Sequence, residues 1–251
     1  MKTLEVLFTF ADFAALKNRN LDDTLCVVFD VFRATSSMVT ALANGAKAII
    51  PVGEIPEAIA IKQKSPNVLL AGERDGVRIC ATQTGGTDFD LGNSPREFTH
   101  EKVFGKTIVM TTTNGTRALR SCSHAKTILI GTFLNLKATA DFLVTASAKN
   151  LLIICSGTYE QTAYEDALGT GALCDLLGGK FNANQISDSA KMARELYKMV
   201  SNNVAAAAAT SRNGARLLGI PDLRDDVPFC MQRDIFSFAA AMQKDGWVRK
   251  L

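Results

Sequence analysis

The stretch VVFDVFRATSSMVTALANGAKAII, residues 27–50, contains the fold in small. An apolar run is closed by Asp30, a polar turn carries Arg33, Thr35 and Ser36, a helical run follows, and a second apolar run begins. Short runs that are apolar throughout read as strands buried on both faces, and a helical stretch between two of them reads as a βαβ unit. The pattern returns in IVMTTTNGTRALRSCSHAKTIL (108–129), and LLIICSGTYEQTAYEDALGTGALCDLLGG (151–179) begins in the same way.

Along the chain the β-rich runs LEVLFTF, LCVVFDVF, AKAIIPV, NVLLAG, KTIVMTT, AKTILIG and NLLIICSG alternate with helical stretches. Among the latter are SSMVTALANG, EIPEAIAIKQK, RALRSCSH and KATADFLVTASAKN. The alternation predicts an α/β fold, a layered mixed or mostly parallel sheet flanked by helices. Residues 1–251 read as a single α/β unit, because no linker rich in Pro, Gly and Ser divides them. The repeat leaves open two similar lobes meeting near residues 130–150, although any succession of βαβ units produces the same pattern. The C-terminal third reads as mostly helical, with VAAAAATSRNGARLLG its clearest segment and SFAAAMQKDGWVRKL uninformative.

Composition narrows the function. With 251 residues, 47% of them hydrophobic, the chain can bury a sizeable core. A balance of 28 Lys and Arg against 25 Asp and Glu, net +3, lacks the excess that a dedicated nucleic-acid binder uses against phosphates. No apolar run approaches the roughly 20 residues of a membrane span, so the expectation is a cytoplasmic protein with no membrane partner. The Ala-rich C-terminal helices suit a homodimer contact as well as a core. Six cysteines without a CxxC pair, beside only His100 and His124, exclude zinc-type spacing and read as reduced, mostly buried thiols.

In open α/β sheets ligands sit at the carboxyl ends of strands, where loops lead into helix N-termini. TTTNGTR fits such a place: Thr111, Thr112, Thr113, Asn114 and Thr116 offer donors, Gly115 allows close approach, and Arg117 brings charge. The same residues also make an ordinary helix cap. FDVFRATSS repeats the arrangement with Asp30, Arg33, Thr35 and Ser36. An acid closing an apolar strand suggests a haloacid dehalogenase type of phosphatase, but that motif needs a second Asp where Phe32 stands. Glu73 and Asp75 in AGERDGVRI, and Glu160, Glu165 and Asp166 in GTYEQTAYEDALGTG, are the acidic candidates. Adjacent Glu165 and Asp166 beside a Gly-rich run suit Mg²⁺, which takes one or two carboxylates plus water and phosphate oxygens, and equally suit the dipole at a helix start. Cys155 lacks the Arg six residues on that activates a phosphatase thiolate, since Gln161 stands there, and neither histidine has a triad context.

Taken together, FDVFRATSSMVTALANGA, LAGERDG, FDLGNSPREF, TIVMTTTNGTRAL, CSGTYEQTAYEDALGTG and the late SRNGARLLG and DDVPFCMQRD resemble the 2-phosphosulfolactate phosphatase family in order and spacing over about residues 25–234. The resemblance implies a Mg²⁺-dependent phosphatase with its own α/β fold, unrelated to the haloacid dehalogenases. It would hydrolyse (R)-2-phospho-3-sulfolactate to 3-sulfolactate and phosphate, on the route to coenzyme M. Under it, Arg33, Asn93, Ser94 and Arg117 belong to a pocket for a small anionic phosphorylated substrate, with Thr35, Ser36, Thr112, Thr113, Asn114, Gly115 and Thr116 holding oxyanions. Asp30, Glu165 and Asp166 take the metal, Glu73 is a further ligand or the general base, and water attacks directly. Asp30, Arg33, Glu73 and Glu165 are thus the catalytic expectation. A phosphatase of another small 2-phospho acid, or a silent protein binding a sulfonate or phosphorylated metabolite, fits the same residues.

Overall fold

Each of the apolar runs forms a strand. The computed structural model describes residue 1 and residues 3–251. The runs become β1 (Thr3–Leu7), β2 (Thr24–Phe29), β3 (Ala48–Pro51) and β4 (Leu69–Arg74), then, after the short β5 (Val77–Arg78), β6 (Thr107–Thr111), β7 (Thr127–Gly131) and β8 (Asn150–Cys155). Two further strands, β9 (Ala240–Met242) and β10 (Val248–Lys250), come from the tail. All ten join one sheet in the order β1-β8-β2-β7-β9-β10-β3-β6-β4-β5.

Within it β1, β8, β2 and β7 run parallel, and so do β3, β6 and β4. The tail hairpin joins the two groups by antiparallel pairing, β9 on β7 and β10 on β3. β7 and β8, on either side of residues 130–150, both pair with β2, so that region connects neighbours within one group.

The uniformly apolar strands follow from helices on both faces. Along β2, Leu25, Val27 and Phe29 enter one core cluster with Leu168, Leu173 and Ala193, while Cys26 and Val28 enter another with Met38, Leu42 and Leu119. A period of two in side-chain direction, with both directions buried, leaves no exposed position along β2.

Three expectations need correction. LEVLFTF leaves the sheet after Leu7, because the Thr9 hydroxyl accepts from the Asp12 N–H and Asp12 accepts from the Thr9 N–H, which starts the helix Phe10–Ala14. VAAAAATSRNGARLLG is two helices, Val204–Ala209 and Arg212–Leu218, divided where the Ser211 hydroxyl accepts from the Gly214 N–H. The tail, unreadable as sequence, fills the middle of the sheet. Its three-residue strands pair on both sides, and Ala240, Ala241 and Val248 are buried. Val248→Ala is expected to cost about 2 kcal/mol, at about 0.8 kcal/mol per buried carbon plus a cavity contribution. Urea unfolding checks it, and a cost near zero would mean that the hairpin frays from the sheet.

Candidate active site

The carboxyl ends of β2, β4, β6 and β8 meet although the two parallel groups run in opposite directions. Twist of roughly 20–25° per strand accumulates across the intervening pairs and swings the two edges toward each other. The contact is direct: a Cβ added to Gly115, just after β6, would lie 2.7 Å from Asp30 Oδ2 and 2.7 Å from the Ala34 Cβ. Gly115 is therefore a residue of close approach, but what approaches is Asp30 and Ala34, where the sequence suggested a bound anion.

A narrow cleft opens there. Asp30, Arg33, Glu73, Asn93, Thr113 and Asn114 line it, joined by Phe32, Asp75, Gly76, Thr158, Tyr159, Asn213 and Arg216.

Asp30 follows the last residue of β2 and is held by its own turn. Its N–H donates to the Thr35 hydroxyl (3.0 Å), that hydroxyl donates to the Asp30 carbonyl (2.8 Å), and the Ala34 N–H donates to Asp30 Oδ1 (3.1 Å). Burial pushes the Asp30 carboxyl up to about 6, against the Ala34 N–H, and the charges of Glu73 and Glu165 add to the rise. Glu73, the last residue but one of β4, is fixed by two backbone donors, Gly76 N–H to Oε2 (2.7 Å) and Thr113 N–H to Oε1 (2.9 Å). The turn after it, Asp75 (φ 54°) and Gly76 (φ 79°), joins β4 to β5 as a two-residue hairpin with both central φ angles positive. The Asp-Gly pair in AGERDGVRI was legible as this signal, whereas the sequence reading weighed Asp75 only as an acid.

Two buried oxygens in the cleft have no hydrogen-bond partner, Asn93 Oδ1 and Thr113 Oγ1. Buried polar atoms are nearly always satisfied, so two unsatisfied oxygens on residues that line one cleft make it the candidate ligand site, while the third such oxygen, Thr139 Oγ1, belongs to a residue that does not line it.

Several expected site residues stand elsewhere. The Thr35 hydroxyl closes on Asp30, and the Ser36 hydroxyl donates to the Val31 carbonyl. Thr112 and Thr116 bond each other across the start of the helix Gly115–Ser121, and the Ser94 hydroxyl donates to Asp226 Oδ1 (2.6 Å). These side chains shape the loops and do not reach the cleft wall. Arg117 turns away: its guanidinium lies 4.0 Å from the Phe10 ring centroid and 3.6 Å from Glu160. The cation that takes its place is Arg216.

Asp166 is buried behind the cleft, where its carboxylate accepts from the Val31 N–H (2.8 Å), the Ser156 hydroxyl (3.1 Å) and the Gly157 N–H (3.1 Å). Glu165 Oε1 accepts from the Asn213 amide (2.7 Å), and that amide also donates to the Thr158 hydroxyl. Burial raises both carboxyls, Asp166 well above the ordinary range with the charges of Glu165 and Asp30 adding to it. Glu165 thus reaches the cleft only through Asn213. Cys155 is buried and its thiol pushed well up, chiefly by desolvation, which suits a core residue. Five of the six cysteines are buried and Cys80 is exposed, all unpaired.

Asp226 is the main residue that sequence reading missed. Fully buried, it accepts from Arg33 Nη1 (2.9 Å), the Ser94 hydroxyl and Arg96 Nε (3.2 Å). Arg33 Nη2 meanwhile donates to the Gly76 carbonyl (2.9 Å), tying the Asp75-Gly76 turn to the loop after β2. DDVPFC and SRNGARLLG were visible as segments, but nothing local showed that Asp226, Asn213 and Arg216 fold back onto residues 30–76.

Fold and cleft together define an α/β protein with a polar small-molecule site at the carboxyl ends of its strands. Residues 12–245 match the model of the 2-phosphosulpholactate phosphatase family. A protein of Caldicellulosiruptor saccharolyticus called a probable 2-phosphosulfolactate phosphatase is 38% identical over 234 residues, 91% of this chain and 93% of its own length. Similarly named proteins of Caldanaerobacter subterraneus (37% identical, covering 97% of both chains) and Thermotoga petrophila (40%, covering 89% of this chain and 91% of its own) align as fully. This chain belongs to the 2-phosphosulpholactate phosphatase family. No helix among the described residues is long and apolar enough to cross a membrane.

Proposed function

We propose that this protein hydrolyses (R)-2-phospho-3-sulfolactate to 3-sulfolactate and phosphate, in a coenzyme M type pathway, with Mg²⁺ as cofactor. One observation carries the reading: in a member of this family, Asp30 and Glu73 face the same cleft as the unpartnered Asn93 Oδ1 and Thr113 Oγ1.

The donor set fits Mg²⁺. Among the described residues no group of three or more His, Cys, Asp or Glu gathers as a complete metal cage. Mg²⁺ does not require one, since it keeps several waters and takes its remaining oxygens from one or two carboxylates and the substrate phosphate. Asp30 would hold the ion, with Asn93 Oδ1 a neutral oxygen beside it. The set of Asp30, Glu165 and Asp166 is not the one facing the cleft, because the Asp166 oxygens already receive three donors. Bound there, Mg²⁺ would neutralise charge on the transferring phosphoryl group.

The remaining work belongs to the chain. Glu73, fixed by two backbone N–H groups, accepts the proton of the attacking water as its oxygen adds to phosphorus and the bond from phosphorus to the C2 oxygen breaks; the departing C2 oxygen takes a proton from water to become the hydroxyl of the product, and Glu73 returns its proton to solvent. The Thr113 hydroxyl, without a hydrogen-bond partner among the described residues, donates to a phosphoryl oxygen. Asn114 Oδ1 accepts from the Tyr159 N–H and so holds the loop after β8 over the cleft.

The test is phosphate release from racemic 2-phosphosulfolactate with Mg²⁺, then with excess EDTA, beside phospholactate and phosphoglycerate. The expected result is release that stops near half the substrate and is lost with EDTA. Release from the controls alone would assign another small 2-phospho acid. Binding of 3-sulfolactate with no turnover of any compound would make the protein a silent binder.

A further inference from the structure

The cleft has an acidic floor and a rim of mixed charge that carries one arginine. Asp30, Glu73 and Asn93 are buried at the floor, while Asp75, Tyr159 and Arg216 are exposed at the mouth. Two arginines line the cleft, and their charges are not equally available. Arg33 is committed, with Nη1 on Asp226 and Nη2 on the Gly76 carbonyl.

Arg216 stands on the other side of the same glycine. A Cβ added to Gly76 would lie 3.0 Å from Arg216 Nη2 and 3.3 Å from its Cζ, so the guanidinium lies against the bare Gly76 backbone. Among the described residues it has neither a carboxylate within ion-pair distance nor a hydrogen-bond acceptor. The nearest rim carboxylate, Asp75, instead accepts the Tyr159 hydroxyl (2.9 Å). Arg216 is therefore a cleft-lining cation with no direct partner among the described residues, in a cleft that also holds the buried carboxylates of Asp30 and Glu73.

We propose that Arg216 binds the anionic group of the substrate that is not transferred, the carboxylate or sulfonate on the carbon skeleton, and so selects anionic phosphomonoesters over those with neutral tails. The inference rests on the phosphatase reading and adds a direction to it: phosphoryl group toward Asp30, second anion toward the rim. A planar guanidinium offers two parallel donors to a carboxylate or sulfonate, which a lysine ammonium cannot reproduce.

Arg216→Gln and Arg216→Lys test it with 2-phosphosulfolactate and isopropyl phosphate, a monoester with no second anion, followed by calorimetric binding of 3-sulfolactate. The ratio of kcat/KM between the two substrates is expected to fall at least tenfold in Arg216→Gln, through KM, with Arg216→Lys between it and the wild type. The dissociation constant of 3-sulfolactate should rise at least tenfold in parallel. An unchanged ratio, or equal binding in wild type and variant, overturns the proposal. If the wild type turns over neither substrate, the phosphatase reading fails, and binding alone decides: 3-sulfolactate held by the wild type and lost in Arg216→Gln supports the role, and no binding to the wild type refutes it.

Discussion

Asp30→Asn is expected to lower phosphate release by roughly a thousandfold while making the metal-free protein more stable at neutral pH. The two effects have one cause. Asp30 sits in a buried position whose carboxyl is pushed up to about 6 because desolvation, with Glu73 and Glu165 close by, opposes its negative charge. Without a cation that charge is a burden on the fold; under the proposed function it would be a ligand of Mg²⁺.

The sign of the pH dependence follows. The native state keeps its proton up to about pH 6, whereas the unfolded chain loses it near the ordinary value of 3.8. Native protein binds more protons in that window, so stability falls as pH rises through it. The shift corresponds to about 3 kcal/mol at 1.36 kcal/mol per unit. Asn carries no charge and escapes the loss, so in EDTA the stability difference between variant and wild type should widen from pH 4 to pH 6 and then level. Urea midpoints of both proteins across that range measure it. A variant that is less stable than wild type at pH 7 without metal, or that retains its turnover, would refute the assignment.

Asp226→Ala is expected to destabilise the fold by about 3–5 kcal/mol, the cost of leaving a buried charge without its partner. The Arg33 side chain is 3% exposed and that of Asp226 is 0%, so water cannot replace the lost carboxylate. The Ser94 hydroxyl and Arg96 Nε lose their acceptor as well. Asp226→Asn keeps an acceptor and most of the volume, and should lose less. Activity should fall in both variants, because Arg33 also holds the Gly76 carbonyl and with it the turn that fixes Glu73. Denaturant unfolding at pH 7 gives the ranking. A loss below about 1 kcal/mol, the range of an exposed pair, would mean that the arginine had found another acceptor.

Runs such as VVF and LLIIC determined their strands by themselves, since short apolar segments between polar loops have no stable alternative in water. Asp30 and Glu73 were legible as well, because a carboxylate at the end of a buried strand is conspicuous against its apolar neighbours. The threonine-rich loop was found in the right place but read too generously. Thr112, Thr116, Thr35 and Ser36 have the same composition as Thr113, and composition does not say which hydroxyl folds back onto its own backbone and which is left facing the cleft.

Charge pairing was beyond reach for a related reason. Arg33, Arg117 and Arg216 are chemically alike in the sequence, and what separates them is the partner each meets across the fold: Asp226 for the first, Phe10 and Glu160 for the second, and no carboxylate or acceptor among the described residues for the third. Those meetings span tens to hundreds of residues and depend on how the two parallel groups twist toward each other around the tail hairpin. Local pattern therefore determined the elements and the acids at their ends. Only the tertiary structure decided which arginine is free to bind, because electrostatic availability is a property of the neighbours in space.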